Sequence, residues 1–155
     1  MKIPYFKVTQ FDRSYFVTKM TASSLLDKVD FEFRFPYKNN QKDIYDANKY
    51  IKELEKLTGA QVDEERQDKA IQRRTDLQRI KNISQFIKSH PRESLLFTTP
   101  LVLGVNIYDD NGTENVQEYD NNLVISDSAR FTIIDGQHRL LGIANYISDN
   151  AYDGS

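Results

Sequence analysis

Between Asp43 and Ile87 the apolar residues of this chain recur at helical spacing, and from Thr99 onward they switch to the runs and alternation of strands. Ile44, Ala47, Ile51 and Leu54 stand at i, i+3, i+7 and i+10, which predicts a helix from Asp43 to about Leu57 with Gly59 as its stop. Leu77, Ile80, Ile83 or Ser84, and Ile87 predict a second helix ending before Pro91, its buried stripe widened by Phe86. Thr99 to Ile107 then reads as a strand, apolar on both faces in its first half and therefore buried. Asp109-Asp110-Asn111-Gly112 is a turn, Val116 and Tyr119 mark a weak strand, and Leu123-Val124-Ile125 a better one. Phe131-Thr132-Ile133-Ile134 is a buried strand that stops at Asp135-Gly136, and Leu140, Leu141, Ile143, Ala144 and Ile147 follow as a helical stripe. A chain that changes period in this way belongs to the α/β or α+β class.

The amino-terminal part is extended. Ile3, Tyr5, Lys7 and Thr9 oppose Pro4, Phe6 and Val8, and Tyr15-Phe16-Val17 is aromatic and β-branched, so two strands flank a turn at Asp12-Arg13-Ser14. The Tyr and Phe residues here are expected in the core rather than on a base-stacking platform. Thr21 or Ser23 caps a short helix from Leu25 to Val29, and Phe31, Phe33 and Phe35 alternate in an extended piece closed by Pro36. Lys38 to Gln41 is a polar loop, and Gln61 to Gln72 is charged, with few apolar anchors, and reads as helical or mobile. Residues 38–70 as a whole read as a helical insertion.

At 155 residues one domain is expected. The absence of cysteine removes disulfides, zinc–thiolate sites, iron–sulfur clusters and thiol catalysis together. His90 and His138 are the only histidines and lack metal-binding spacing, and His90, before Pro91, suits a helix C-terminus better than a ligand role. No apolar run spans a bilayer and no signal peptide opens the chain, so a soluble, cytoplasmic protein without a membrane partner is expected. Net charge is only −2, but it is unevenly spread: Arg66 to Arg92 holds eight Lys/Arg against two acids, and Asn106 to Asp127 holds six acids and no Lys or Arg. The first of these suits either a phosphate-bearing partner or a solvated helix face.

The chemistry concentrates in Asp135-Gly136-Gln137-His138-Arg139. A helix N-terminus offers unpaired N–H groups and partial positive charge, Gly136 lets a ligand approach the backbone, and Arg139 supplies a fork for phosphate oxygens. His138 can donate a hydrogen bond or shuttle a proton. Asp135 can hold a water, take a magnesium ion or cap the helix. The same residues also suit a purely structural turn, with Asp135 as cap and Arg139 paired to a surface acid.

These five residues resemble the signature of the DGQHR-domain proteins, which include DndB-like proteins associated with DNA phosphorothioate modification. Three further stretches resemble that family in order. They are Thr18-Lys19-Met20 with Leu25-Leu26 and Val29 to Phe33, then Gln72-Arg73-Arg74 with Arg79 and Ile83 to Ile87, then Leu96-Phe97 with Pro100 to Leu103. Tyr37 to Gln67 matches least. The group in turn is similar to the ParB/sulfiredoxin superfamily, and the fold this implies is α+β, a mixed sheet flanked by helices. The resemblance implies either a single DGQHR domain over 1–155 or the amino-terminal fragment of one, truncated after the DGQHR helix. Gly136, Gln137, His138 and Arg139 are then implied to bind nucleotide phosphate, and Arg73, Arg74 and Arg79 are candidates for DNA or phosphate contact. Sulfiredoxins place a nucleophilic cysteine where Gln137 stands, so reduction of a sulfinic acid is excluded.

Three functions are open to such a chain. The first is a DNA-modification or phage-defence protein that binds DNA and/or a nucleoside triphosphate, with partners in the modification system and a role as transcriptional regulator of DNA phosphorothioation. The second is a nucleotide hydrolase or nuclease using Asp135 and His138, with ATP or CTP and magnesium and with Asp127 as the nearest second carboxylate. The third is a non-catalytic interaction module.

Overall fold

The structure, a computed structural model, describes residues 1–33, 40–62, 74–90 and 99–149. Strands β1 (Lys2–Gln10) and β2 (Arg13–Thr18) form a hairpin, followed by the short helix α1 (Ala22–Leu26) and strand β3 (Val29–Asp30). Helices α2 (Gln41–Thr58) and α3 (Leu77–Ser89) come next, then strands β4 (Val102–Val105), β5 (Val116–Tyr119), β6 (Asn122–Ile125) and β7 (Phe131–Asp135), and helix α4 (Gln137–Asp149). The fold is α+β. An antiparallel sheet runs β2-β1-β6-β5, and a smaller mixed sheet runs β3-β7-β4, with β3 parallel and β4 antiparallel to β7.

Local chemistry sets the boundaries. Thr21 caps α1, Asn40 caps α2 through the Asp43 amide at 2.9 Å, and Asp76 caps α3 by accepting from the amides of Gln78 and Arg79. Gly59 ends α2 in the left-handed conformation, φ 67°, with its N–H donating to the Glu55 carbonyl. Asp120 and Asn121, both at positive φ, form the two-residue turn between β5 and β6.

One core joins both sheets to the helices. Ile3, Leu123 and Ile125 enter from the first sheet, Val29, Phe131 and Ile133 from the second, and Tyr50, Ile51, Leu54, Ile80, Leu140 and Leu141 from α2, α3 and α4. The helix α2 therefore shares the main core, although it lies inside the 38–70 stretch read as an insertion. Helix α4 packs tightly on α3, where a Cβ on Gly142 would stand 2.3 Å from Ile83 Cγ2. The buried Asn145 side chain donates from Nδ2 to the Leu57 carbonyl at 2.7 Å and so ties α4 to the last turn of α2.

Several expectations are corrected. The strand at 102–105 is not buried on both faces: β4 is a sheet edge and Val102 is exposed. Likewise β7 buries Phe131 and Ile133 but leaves Ile134 52% exposed, because only one face of this sheet meets the core. Phe86 lies outside the core against the His90 ring, centroids 3.9 Å apart. Of the amino-terminal aromatics on the hairpin, Tyr5 packs against the core, but Phe6, Phe11, Tyr15 and Phe16 are exposed. His90 does cap the end of α3, its N–H donating to the Ile87 carbonyl and its Nδ1 lying 2.7 Å from the Phe86 carbonyl. The segment at 61–72 falls outside the described residues from 63 onward, and so do Phe35, Pro36, Leu96 and Phe97.

Candidate functional site

Strand β7 is the middle strand of its sheet, and it delivers the Asp135-Gly136 turn directly to the start of α4. Its register against β4 shifts between Ile133 and Asp135, leaving Ile134 as a bulge next to the turn. Gly136 sits at φ 97°, where a side chain is strained, and a Cβ there would stand 2.3 Å from Leu101 Cδ2 and 3.0 Å from Arg139 Nη2. Glycine is called for here by the backbone conformation.

Because Gly136 occupies the N-cap of α4, with its carbonyl accepting from Leu140 at 3.0 Å, no cap side chain covers the first turn. The contrast with Thr21, Asn40 and Asp76 at the other three helix starts is direct. Among the described residues no acceptor meets the amides of Gln137, His138 or Arg139. Gln137 itself is buried.

His138 turns toward α3. Its Nε2 accepts from the Asp76 amide at 3.2 Å, and this fixes the starts of α3 and α4 beside each other. Burial, together with the nearby Arg79 guanidinium, pushes the His138 ring below the usual histidine range, while Asp76 acts in the opposite direction. The ring is therefore a neutral acceptor at neutral pH. Arg79, in the first turn of α3, is exposed and faces this same junction.

Arg139 turns the other way. Its Nη1 donates to the Thr99 carbonyl and to Thr99 Oγ1 at 2.7 Å, and its Nη2 donates to the Pro100 carbonyl at 3.1 Å and lies 3.7 Å from Asp135 Oδ2. The guanidinium thus clamps the chain entering β4 onto the start of α4. The structure does not bring His138 and Arg139 onto a common point.

The remaining candidates are dispersed. Arg74 stacks over the Tyr50 ring at 5.0 Å. The Tyr50 hydroxyl bonds both the amide and the carbonyl of Thr75 and so pins the segment leading into α3. Burial pushes the Tyr50 hydroxyl above the usual phenol range, with the Thr75 bonds acting against it. Arg73 lies outside the described residues. Asp135 is solvent-facing, and Asp127 lies before the opposite end of β7, so the two carboxylates cannot share an ion. Among the described residues no three His, Asp or Glu side chains cluster as metal ligands. A magnesium ion could use Asp135 only as a single carboxylate, with phosphates and water completing its shell.

Sequence reading missed Asp76, Thr75 and Thr99 as parts of this site. Asp76 had a signal, an acid directly before the first residue of a helical stripe. Thr99 had none, because its role depends on where Arg139 points. Beside Asp76 lies an open cavity of about 520 Å³ lined by Asp46, Lys49, Tyr50, Glu53, Arg74 and Asp76, within the size range of small-ligand sites.

The sequence profile of a family described as DndB, DNA-sulfur modification-associated, matches residues 35–153, well over half of the chain and including the whole β7–α4 turn. The chain belongs to the DndB family. Membership gives it a DNA-sulfur modification-associated role. No curated protein and no solved structure gives a significant match. Among the described residues no helix is long and apolar enough to cross a membrane.

Proposed function

We propose that this DndB-family chain binds a phosphate group, of the DNA backbone or of a nucleoside triphosphate such as ATP or CTP, at the start of α4. We propose further that it does so as a regulator of a DNA phosphorothioation and phage-defence system. The observation that carries this reading is the glycine-capped first turn of α4, flanked by His138 and Arg79 where two helix starts meet. The amides of Gln137 and His138 would face the phosphate, and Arg79 would supply its counter-charge. Arg139 positions the turn instead of touching the ligand. The likeness of the motif to ParB/sulfiredoxin sites supports the same assignment. No hydrolytic step is assigned, since among the described residues no three His, Asp or Glu side chains cluster as metal ligands.

A melting screen of the chain against ATP, CTP, GTP and duplex DNA, with and without magnesium, tests this reading. A ligand at about a hundred times its Kd raises the midpoint by roughly 5–10 °C. The shift disappears in His138→Ala combined with Arg79→Ala. No shift with any of these ligands would contradict the reading.

A further inference from the structure

Beyond Pro4, strand β1 leaves β6 and pairs with β2 alone. Tyr5 to Thr18 therefore project as a two-stranded ribbon of six residue pairs, about 20 Å long. At its base Lys7 and Tyr5 bond Glu118 on one face. The opposite face carries two apolar cross-strand pairs, Phe6 with Val17 and Val8 with Tyr15, all exposed. At the tip Phe11 is 103% exposed and sits at φ 55°, a conformation that disfavours an L-aromatic residue and suits Gly or Asn. An apolar side chain that is both strained and wholly in water gains nothing from its own fold.

Charge indicates what the ribbon meets. Of the four cations in residues 1–20, Lys2 lies where β1 pairs with β6 and Lys7 is paired with Glu118, so the ribbon's own charge is Arg13 and Lys19 against Asp12, a net +1 in a chain whose total is −2. Two copies stacking these faces would bring like charges together, whereas a polyanion would be attracted. A two-stranded ribbon fits the major groove of duplex DNA, and apolar side chains wedge against base steps in DNA-bending proteins.

We infer that the β1–β2 ribbon is a DNA-contacting arm, with Arg13 and Lys19 on backbone phosphates and Phe11 as an apolar wedge against the base pairs of a duplex. The inference rests on the reading of the chain as a DNA-binding protein and adds a contact remote in sequence from the α4 turn. Anisotropy of a labelled duplex, measured from 50 to 200 mM salt with the intact chain, tests it. Arg13→Ser with Lys19→Ser lowers the slope of log affinity against log salt by about two, since each lost phosphate contact removes about one. Phe11→Asn leaves that slope unchanged, weakens binding about tenfold, and raises the melting midpoint by about 2 °C as the backbone strain is relieved. A purely structural Phe11 would not show loss of binding together with gain of stability.

If the parent binds duplex and all ribbon variants bind equally well, the arm is overturned while the reading of the α4 turn stands. If the parent binds no duplex, the arm falls, and the reading is then judged on the nucleotide arms of the melting screen. If the ribbon variants instead convert a dimer to a monomer by sedimentation without altering DNA affinity, the ribbon is a self-association surface and the inference is wrong.

Discussion

At the β7–α4 turn the polar side chains are engaged by the chain itself: His138 accepts from Asp76, and Arg139 grips Thr99 and Pro100. Along the β1–β2 ribbon the reverse holds, with apolar residues facing water and cross-strand pairs as their main contacts. At the turn the outward resource is backbone, a row of amides held in place by side chains. On the ribbon the outward resource is side chain, carried on a regular backbone ladder. Substitutions should therefore separate the two regions, damaging stability at the turn and leaving it nearly untouched on the ribbon.

The largest effect is expected from Arg139→Ala. It removes charge-assisted bonds to Thr99 and Pro100 from a mostly buried guanidinium, so urea unfolding should show a loss of about 3 kcal/mol. Lys at this position should recover only a small part, because it lacks the planar fork. Gly136→Ala follows, at about 2 kcal/mol, since it places a Cβ at positive φ against Leu101. Equal stability of this variant and the parent would show that the turn is looser than the close contact implies.

A smaller, pH-dependent effect belongs to His138. Its folded form is harder to protonate than its unfolded form, so between the two values the unfolded chain binds more protons. The His138 contribution is thus complete above about pH 6.5 and is lost as pH falls through the folded value. Urea midpoints of the parent should drop from pH 7.5 to 5 by more than those of His138→Gln. Identical drops would show that His138 is not the group responsible. Smallest of all is Phe6→Ser on the ribbon, expected within about 0.5 kcal/mol of the parent because the side chain is 77% exposed. A loss as large as that of Arg139→Ala would mean that the ribbon packs on something in solution and would erase the contrast.

Much of this architecture was legible in the residue pattern. The stripe Ile44 to Leu54 located α2, Leu77 to Ile87 located α3, and the break at Asp135-Gly136 located the turn, because period and glycine act locally. What was not legible depends on long-range placement. The alternation in Ile3 to Thr9 shows two faces without showing that one of them lacks a covering layer, so the aromatics read as core. Val102 and Ile134 look buried by composition, yet their exposure follows from the edge position of β4 and the open side of the small sheet. The letters His138-Arg139 suggest a joint grip, but on a helix adjacent residues point about 100° apart, and here each finds a different neighbour.

The central claim is that phosphate meets the uncapped amides at the start of α4. Amide NMR of the isotope-labelled chain, titrated separately with ATP and with a short duplex, tests this most directly. The account predicts saturable shifts at Gly136, Gln137 and His138 with at least one of these ligands, accompanied by Arg79. Those amides unmoved in both titrations would contradict it.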